Sequence, residues 1–258
     1  MLKVRIIPVV LLQGYQVVKT IQFNERRNLG NPITVARIYN TRNVDELVLL
    51  DIDASKSGSK IDSFTVEDVA SECFMPLTVG GGLRTIQDIT EVLAKGADKV
   101  AINTEACARE EFITEASAVF GAQCIVVSID VINVDGEFKV YSHSKKEATD
   151  IDVITWAKRA EELGAGELLL NSVDRDGVME GCELDLVESV CDVVNIPVIA
   201  VGGVSAPADA VSLVEKNANA VGAASIFHFT SFTPNCLKNE LAEHGYPVRA
   251  EPQIDWKA

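Results

Sequence analysis

A short apolar run that ends in consecutive glycines occurs twice in this chain, and the two copies lie 121 residues apart. The first copy, residues 76–85, reads PLTVGGGLRT, and the second, residues 197–206, reads PVIAVGGVSA. Each pattern indicates a buried strand, a turn and the start of a helix. Glycine permits positive φ and a close approach of backbone to ligand, and the N–H groups at a helix start bind phosphate. A tight turn alone would explain one copy, but two copies at one spacing favour two phosphate sites.

Two further pairs of segments share the offset of 121 residues. Residues 46–55 match residues 167–176, and residues 96–104 match residues 217–225. Agreement of three pairs at one offset indicates an internal duplication of the chain. A ligand that spans two duplicated phosphate sites is expected to be long and to carry a phosphate at each end.

Runs rich in Val, Ile and Leu alternate with helical stretches along the whole chain. Continuous apolar runs are typical of parallel strands buried on both faces. Eight βα units in about 250 residues indicate an α/β fold of the (β/α)8 TIM-barrel type. An open doubly wound sheet is the alternative, but it does not explain the repeat. The predicted strands are residues 4–12, 46–53, 76–79, 99–102, 123–131, 167–171, 197–201 and 218–223.

The repeat and the number of strands together predict the domain organisation. We expect a single barrel domain, residues 1–258, built from half-barrels at about residues 1–121 and 122–245. No low-complexity linker divides the chain. The polar tail, residues 249–258, is expected to be loose.

The composition argues against several classes of function. A formal charge of −15 disfavours a nucleic-acid surface, because phosphate backbones require basic residues. No uncharged run approaches the roughly 20 residues of a membrane span. Six cysteines without CxxC spacing indicate a reducing cytoplasm. Three scattered histidines give no reason to expect a metal or an organic cofactor.

Two insertions follow predicted strands. Residues 13–32 are predicted to form a long polar loop, which at the catalytic face of a barrel would act as a lid. Residues 133–143 contain the sequence VDGE, which predicts a β-hairpin.

Functional side chains of a TIM barrel project from the C-terminal ends of its strands. Asp130, predicted to end the fifth strand, lies in an apolar run, where a carboxylate is costly unless it is paired, hydrogen-bonded or catalytic. Burial would raise its pKa towards a value useful for proton transfer. A structural aspartate that accepts backbone N–H groups is the alternative. The other candidates at strand ends are Asp51, Asn103, Thr104, Asp174, Asp176, Gly177, Gly202, Gly203, Ala224 and Ser225.

Residues beside the two glycine turns suit phosphate binding. Ordinary helix capping is the alternative role for their side chains, and it is compatible with phosphate binding. The two expected groups are Thr104 with Gly80, Gly81 and Gly82, and Asp176, Gly177 and Ser225 with Gly202 and Gly203.

Four charged residues lie at or near the N-terminal ends of predicted strands. Arg5, Glu46, Lys99 and Glu167 belong to the first, second, fourth and sixth strands. Two cations and two anions at the barrel bottom would form a ring that closes the axis. Four separate surface charges are the alternative.

Eight short segments carry a resemblance to a known family, and several of them are more specific than a TIM-barrel fold alone would require. They are RIIP (residues 5–8), LDI (50–52), LTVGGG (77–82), GADKV (96–100), QCIVV (123–127), DRDG (174–177), IPVIA (196–200) and ASIFHF (224–229). Through them, residues 1–249 resemble the cyclase subunit of imidazole glycerol phosphate synthase. The resemblance implies a lyase in a heterodimer with a glutaminase docked on the barrel bottom. Ammonia then passes through the barrel to a bisphosphorylated ribulosyl-formimino-carboxamide nucleotide, giving imidazole glycerol phosphate and an aminoimidazole carboxamide ribonucleotide.

The resemblance also implies roles for individual residues. Asp130 corresponds to a catalytic aspartate of the family, and Asp98 corresponds to a contact with the glutaminase. The four charged residues at the strand starts correspond to a gate for ammonia. The implied phosphate- and substrate-binding residues are Lys19, Asp51, Gly80, Gly81, Gly82, Asn103, Thr104, Asn171, Asp176, Gly177, Gly202, Gly203, Ala224 and Ser225.

Four positions depart from the family pattern. The second catalytic aspartate of the family, at the end of the first strand, corresponds here to Leu11. Val178 and Val201 replace hydroxyl residues beside one phosphate site, and Asn171 replaces a threonine. Loss of a general acid or base costs about 10²–10⁴-fold in rate, and leucine cannot transfer a proton. The departures therefore favour a divergent paralogue.

Three functions are open at this point. The first is a paralogue that uses ammonia from a glutaminase to amidinate a nucleotide-linked sugar for surface polysaccharide, together with an amidotransferase-like third protein. Paralogues of that kind resemble this chain in their first strand. The second is the histidine-pathway cyclase itself, with Glu25 or another lid residue in place of the lost aspartate. The third is a non-catalytic barrel that scaffolds the glutaminase and conducts ammonia.

Overall fold

The computed structural model describes residues 2–249, and these residues form a closed barrel of eight parallel strands with helices between them. The strands of this part of the chain are β1 (Arg5–Gln13), β2 (Gln16–Ile21), β3 (Glu25–Gly30), β4 (Leu47–Asp51), β5 (Leu77–Gly80), β6 (Lys99–Ile102), β7 (Ile125–Val134), β8 (Glu137–Ser142), β9 (Glu147–Asp152), β10 (Glu167–Ser172), β11 (Val198–Val201) and β12 (Ala220–Ala223). Around the barrel the order is β1, β4, β5, β6, β7, β10, β11 and β12, and pairing of β12 with β1 closes the ring. The predicted TIM barrel is confirmed.

Helices cover the outside of the barrel and connect its strands. The helix α4 begins with a capping box, in which Thr85 and Asp88 each accept a backbone N–H of the other. The helices are α1 (Pro32–Thr41), α2 (Ala54–Ser57), α3 (Ser63–Ala70), α4 (Ile86–Ala94), α5 (Thr104–Ala108), α6 (Glu111–Phe120), α7 (Val153–Glu162), α8 (Leu184–Cys191), α9 (Pro207–Glu215), α10 (Ser225–Phe229) and α11 (Pro234–Glu243).

The first insertion is a β-hairpin, so the prediction of a long polar loop over residues 13–32 was wrong. Strand β2 pairs antiparallel with the end of β1, where Val17 and Val18 lie opposite Leu12 and Leu11. Strand β3 then pairs with β2. The polar sequence concealed β3 because most of its residues face solvent and it has little apolar alternation.

The second insertion confirms the predicted hairpin. Strand β7 continues past Asp130 to Val134, and β8 returns after a two-residue turn. Asp135 and Gly136 both have positive φ, 53° and 90°, as a type I′ turn requires. Asp130 therefore lies within its strand and not at the end, where the sequence placed it. The third strand of this insertion, β9, was not predicted.

The core has two layers, because side chains alternate along the barrel strands. On β1, Ile6, Val10 and Leu12 belong to the outer layer between sheet and helices. The alternate residues of the same strand fill the inside of the barrel. The inner layer consists of Ile7, Val9, Leu11, Val18, Val48, Ala101, Val126, Leu169, Ile199 and Ala220.

Positions 121 residues apart adopt similar backbone geometry. Asn103 has φ −135° and ψ −79°, and Ala224 has φ −138° and ψ −70°, each at the start of a five-residue helix. The carboxylate of Asp98 accepts the N–H of the first residue of β5 at 2.8 Å, and the side chain of Asn219 accepts that of β11 at 2.9 Å. This similarity is what a duplication would produce, and the division into half-barrels stays a prediction.

The last described residues are fastened to the barrel bottom. Val248 forms a bridge with Val4, and Arg249 donates to backbone carbonyls of Asn43 and Val44. The predicted loose tail thus starts at a bound residue, and its remainder, residues 250–258, lies outside the described residues. Between residues 2 and 249, no helix is both long and apolar enough to cross a membrane.

Candidate active site

A cavity opens at the C-terminal ends of the barrel strands, with a volume of about 1110 Å³ when its open mouth is included. One wall is apolar and includes Leu11 and Leu50. The other wall is polar and includes Asp130, Asn103 and Asn171. Strands β1 and β7, which carry Leu11 and Asp130, are four strands apart in either direction around the eight-stranded ring. The two residues therefore lie on opposite sides of the mouth.

Asp130 is the buried carboxylate of the polar wall, with 8% of its surface exposed. Asn103 Nδ2 donates to its Oδ2 at 2.9 Å, and Asn171 Nδ2 donates to its Oδ1 at 3.2 Å. Burial raises the pKa of Asp130 to about 6, although both amides favour the ionised form, and the negative charge of Asp176 raises it further. A carboxyl group with this pKa exchanges its proton readily near neutral pH.

Leu11 lines the cavity where the resemblance implied an aspartate. It lies opposite Val18 on β2 and Leu50 on β4, and it belongs to the apolar inner layer of the barrel. None of these contacts supplies a proton donor or acceptor. The β1 side of the mouth therefore offers packing surface where the family has a titratable group.

The first hairpin places Lys19 over the mouth. Lys19 Nζ lies 2.6 Å from Asp176 Oδ1, and Thr20 Oγ1 donates to the other oxygen of Asp176. All three side chains are buried. This contact fastens β2 to the loop after β10, and it places Lys19 and Asp176 in both the main cavity and a smaller one beside it.

The first glycine turn fits tightly against its neighbours. A Cβ at Gly80 would lie 2.7 Å from Ala101 O, and one at Gly82 would lie 2.1 Å from Ser59 O. Gly81 and Gly82 line the cavity together with Thr104. Close packing of backbone is therefore sufficient to require glycine here, whether or not a phosphate binds.

The capping box of α4 fills the N–H groups of Thr85 and Asp88, so only part of this helix start is free to bind a phosphate. At the helix after the second glycine turn, α9, Asp209 accepts the N–H groups of Ser205 and Ala206, while the N-cap residue Ala206 has no side chain that could accept in return. Ser55 of α2 lines the main cavity, and the starts of the short helices α5 and α10 line the cavities as well. Helices α5 and α10 each follow the strand next to a glycine turn.

Asp51 ends β4 and lines the cavity, half-buried. Its Oδ1 accepts the N–H groups of Asp53 and Ala54 at 2.9 and 3.1 Å, so it caps the short helix α2. Burial is the main cause that raises the pKa of Asp51. Asp51 therefore has a local structural task as well as access to the cavity.

The second glycine turn borders the smaller cavity. Gly202, Gly203, Ala224 and Ser225 line it, with Asp176 and Gly177 on the opposite edge. Ser225 is buried, and its hydroxyl oxygen has no hydrogen-bond partner. Such a group is costly to leave unpaired, and an oxyanion that accepts from the hydroxyl would satisfy it. Val201 also lines this cavity, where the family pattern has a hydroxyl residue.

The four charged residues at the strand starts form a closed ring. Glu46 Oε2 lies 2.8 Å from Arg5 Nη1 and 3.0 Å from Lys99 Nζ. Glu167 contacts the same two cations, Lys99 at 2.9 Å and Arg5 through its second Nη. Thr78 Oγ1 donates to the remaining oxygen of Glu46 at 2.6 Å. The four charges balance, and the ring closes the bottom of the barrel axis.

Between this ring and the cavity the barrel interior is apolar. Its lining consists of the inner-layer side chains, among them Ile7, Val48 and Ile199. Such a lining offers no hydrogen bonds that would hold a small neutral molecule, and it disfavours ions through loss of hydration. Asp98, the implied contact with a glutaminase, is exposed and accepts the N–H of Leu77 at 2.8 Å.

Among the cavity residues that were not singled out from the sequence are Thr20, Phe23, Ser128 and His143. The two insertions bring Phe23 and His143 together, with ring centroids 5.2 Å apart. His143 Nε2 lies 2.9 Å from Ile52 O, and burial is the main cause that lowers the pKa of His143. The hairpin signal of the second insertion could have placed His143 at the mouth. In the described part of the chain, no three His, Cys, Asp or Glu side chains are arranged to hold a metal.

Fold and site together define an eight-stranded βα-barrel protein with a buried carboxylate at its mouth and an ion-pair ring at its base. A sequence model of the histidine biosynthesis protein family matches residues 5–233, and the chain belongs to that family. It is 48% identical over 249 residues to a protein of Campylobacter jejuni subsp. jejuni serotype O:2 named "Putative imidazole glycerol phosphate synthase subunit hisF2". The alignment covers 96% of this chain and 99% of that relative. A synthase of the cyclase type is the kind of enzyme that this relationship indicates.

Proposed function

We propose that this chain is the synthase subunit of a glutamine-dependent enzyme that adds ammonia to a phosphorylated substrate other than the histidine-pathway nucleotide. The observation that carries the proposal is the opposition of Asp130 and Leu11 across the mouth. One wall retains a group suited to proton transfer, and the other wall has none where the family has its second acid or base. The substrate class that we favour is a nucleotide-linked sugar that becomes an amidine in surface polysaccharide synthesis.

Two features along the barrel axis, the ion-pair ring at the base and the apolar interior above it, support the use of ammonia. The ring of Arg5, Glu46, Lys99 and Glu167 lies on the face where a glutaminase would dock in a heterodimer. The apolar interior above it suits passage of a neutral molecule and excludes ammonium ions. An ion-pair ring without such a role would be an expensive way to close a barrel, because buried pairs rarely gain more than they lose in hydration.

A phosphorylated substrate is supported by the smaller cavity. The unpartnered hydroxyl of Ser225 lies there beside Gly202 and Gly203, and Lys19 is the cation of the same cavity. A second phosphate would bind at Gly81, Gly82 and Thr104 on the far side of the main cavity.

The histidine-pathway cyclase is the second candidate, and Asp51 is the observation that favours it. Asp51 lines the cavity, has a raised pKa and sits on the strand next to Leu11, so it is better placed to replace the lost acid than Glu25 is. Glu25 is exposed at the start of β3 and does not line the cavity. The name of the Campylobacter relative is consistent with this candidate as well.

Turnover with defined nitrogen sources separates the candidates. The purified chain is supplied with ammonium chloride and the ribulosyl nucleotide, and imidazole glycerol phosphate is measured. Our proposal expects a rate at least about 10²-fold below that of a family enzyme with both aspartates. A rate equal to that of such an enzyme would refute the proposed change of substrate. A chain that neither binds nor activates any partner glutaminase would contradict both amidotransferase candidates.

A further inference from the structure

The carbonyl oxygen of Asn171 is a buried acceptor without a partner. The Asn171 amide Nδ2 donates to Asp130 Oδ1 at 3.2 Å, whereas Oδ1 of Asn171 itself accepts no hydrogen bond from the described residues. An ionised carboxylate can only accept hydrogen bonds. The Asn171 side chain therefore cannot turn its Oδ1 towards Asp130 without losing the bond from Nδ2. Asn171 also lines the main cavity, so this acceptor is available to a small ligand with N–H or O–H groups.

The position of Asn171 relates this acceptor to the barrel axis. Asn171 on β10 pairs in register with Asp130 on β7, and the inward residues one layer below are Leu169 and Ser128. Below Leu169 the interior is apolar down to the ion-pair ring. A molecule that rises along the axis therefore meets its first group of polar side chains at Ser128, Asp130 and Asn171.

Ammonia matches the donors and acceptors of this place. It has three N–H donors and one lone pair, and the lone pair must stay free to attack a carbon atom. The site provides the acceptors that this requires, namely the carboxylate oxygens of Asp130 and the carbonyl oxygen of Asn171. The two amides that hold Asp130, from Asn103 and Asn171, keep those oxygens fixed.

We infer that Asn171 Oδ1 and Asp130 form a binding site for ammonia at the end of the barrel axis, in which both accept N–H groups of the bound molecule. This inference rests on the proposed use of ammonia, and it assigns to Asn171 a task other than contact with phosphate. The arrangement departs from the family pattern, because asparagine replaces a threonine at this position.

Side-chain amide signals in ¹H–¹⁵N NMR spectra test the inference without a substrate. Ammonium chloride is titrated at alkaline pH, where it supplies free ammonia, and potassium chloride at equal ionic strength is the control. A ligand with one non-hydrogen atom binds with a dissociation constant on the order of 0.1 M at best. We expect a saturable shift of the Asn171 and Asn103 amide signals in that range with ammonium chloride and none with potassium chloride. The exposed side chain of Asn28, which donates to Gln16, serves as the internal reference and should not respond.

Asn171→Leu removes the acceptor while keeping a similar volume, and Asn171→Val provides a second variant if the first does not fold. In either variant the Asn103 signal should respond to ammonia at least about tenfold more weakly than in the wild type. Equal Asn103 responses in wild type and variant, or no response of Asn171 to ammonia, would overturn the inference. Because no turnover is measured, failure of this test is distinct from failure of the proposed function, which the ribulosyl assay decides.

Discussion

The substitution Asp130→Asn should change how the stability of this protein depends on pH. Asp130 is buried, and its neighbours Asn103 and Asn171 are neutral, so no cation repays the cost of its charge. Burial accordingly raises the pKa of Asp130 to about 6. In the unfolded chain the same group ionises at the ordinary aspartate value of about 3.9.

The direction and size of the effect follow from this difference. Between about pH 4 and pH 6 the folded protein holds a proton on Asp130 that the unfolded chain has released, so folding becomes less favourable as the pH rises. The stability linked to the protonated form is complete below the unfolded pKa and is lost as the pH rises through the folded pKa. A difference of about two pH units at 1.36 kcal/mol each gives a loss of about 3 kcal/mol by neutral pH.

Urea unfolding of wild type and Asp130→Asn at several pH values measures this loss. The free energy of unfolding of the variant, relative to wild type, should increase by about 2 kcal/mol between pH 4.5 and pH 7, since about 1 kcal/mol of the loss has already occurred by pH 4.5. Asp53→Asn is the control, since the hydrogen bond from Arg26 lowers the pKa of Asp53 and confines its effect to more acidic pH. A constant difference for Asp130→Asn across this range would refute the reasoning that Asp130 is a costly buried charge.

Two further changes probe ion pairs by the same unfolding assay. Glu46→Gln should cost about 3 kcal/mol, because it removes one of the two carboxylates that Arg5 and Lys99 share and leaves the ring with excess positive charge, whereas Lys95→Met at an exposed pair should cost less than about 1 kcal/mol. Equal costs would show that the ring is no stronger than a surface pair. Lys19→Met should likewise cost about 3 kcal/mol by leaving Asp176 buried and unpaired by a cation, and should expose the first hairpin to proteases, while Lys139→Met in the second hairpin should do neither. Unchanged protease resistance of Lys19→Met would contradict its role as the fastening of the hairpin.

Most of the fold could be predicted from the sequence because the barrel strands are buried on both faces. Their continuous Val, Ile and Leu runs stand out against the polar segments between them, and all eight lie where the runs predicted. The hairpin β2–β3 escaped prediction for the converse reason. Its second strand faces solvent, so hydrogen bonds to β2 rather than apolar alternation hold it in place.

The candidate site was predictable in its residues but not in its pairings. Isolation in an apolar run identified Asp130, Asn103 was among the candidates at strand ends, and Asn171 entered through the family resemblance. Both amides donate to the carboxylate of Asp130. This pairing depends on side-chain conformations, which cannot be predicted from the spacing of residues in the sequence. The cap formed by Asp88 was not predicted, and its carboxylate occupies part of the start of α4 by accepting the N–H groups of Arg84 and Thr85.

The substitution Leu11→Asp tests the central claim most directly. It restores a carboxylate opposite Asp130, and Leu11→Asn is the matched control with similar shape and no titratable proton. Rates of imidazole glycerol phosphate formation are measured with ammonium chloride and the ribulosyl nucleotide for all three proteins. We expect Leu11→Asp to exceed wild type by about 10²-fold or more, with Leu11→Asn no faster than wild type. A wild-type rate equal to that of Leu11→Asp would contradict the claim that the lost acid redirects this barrel to another substrate.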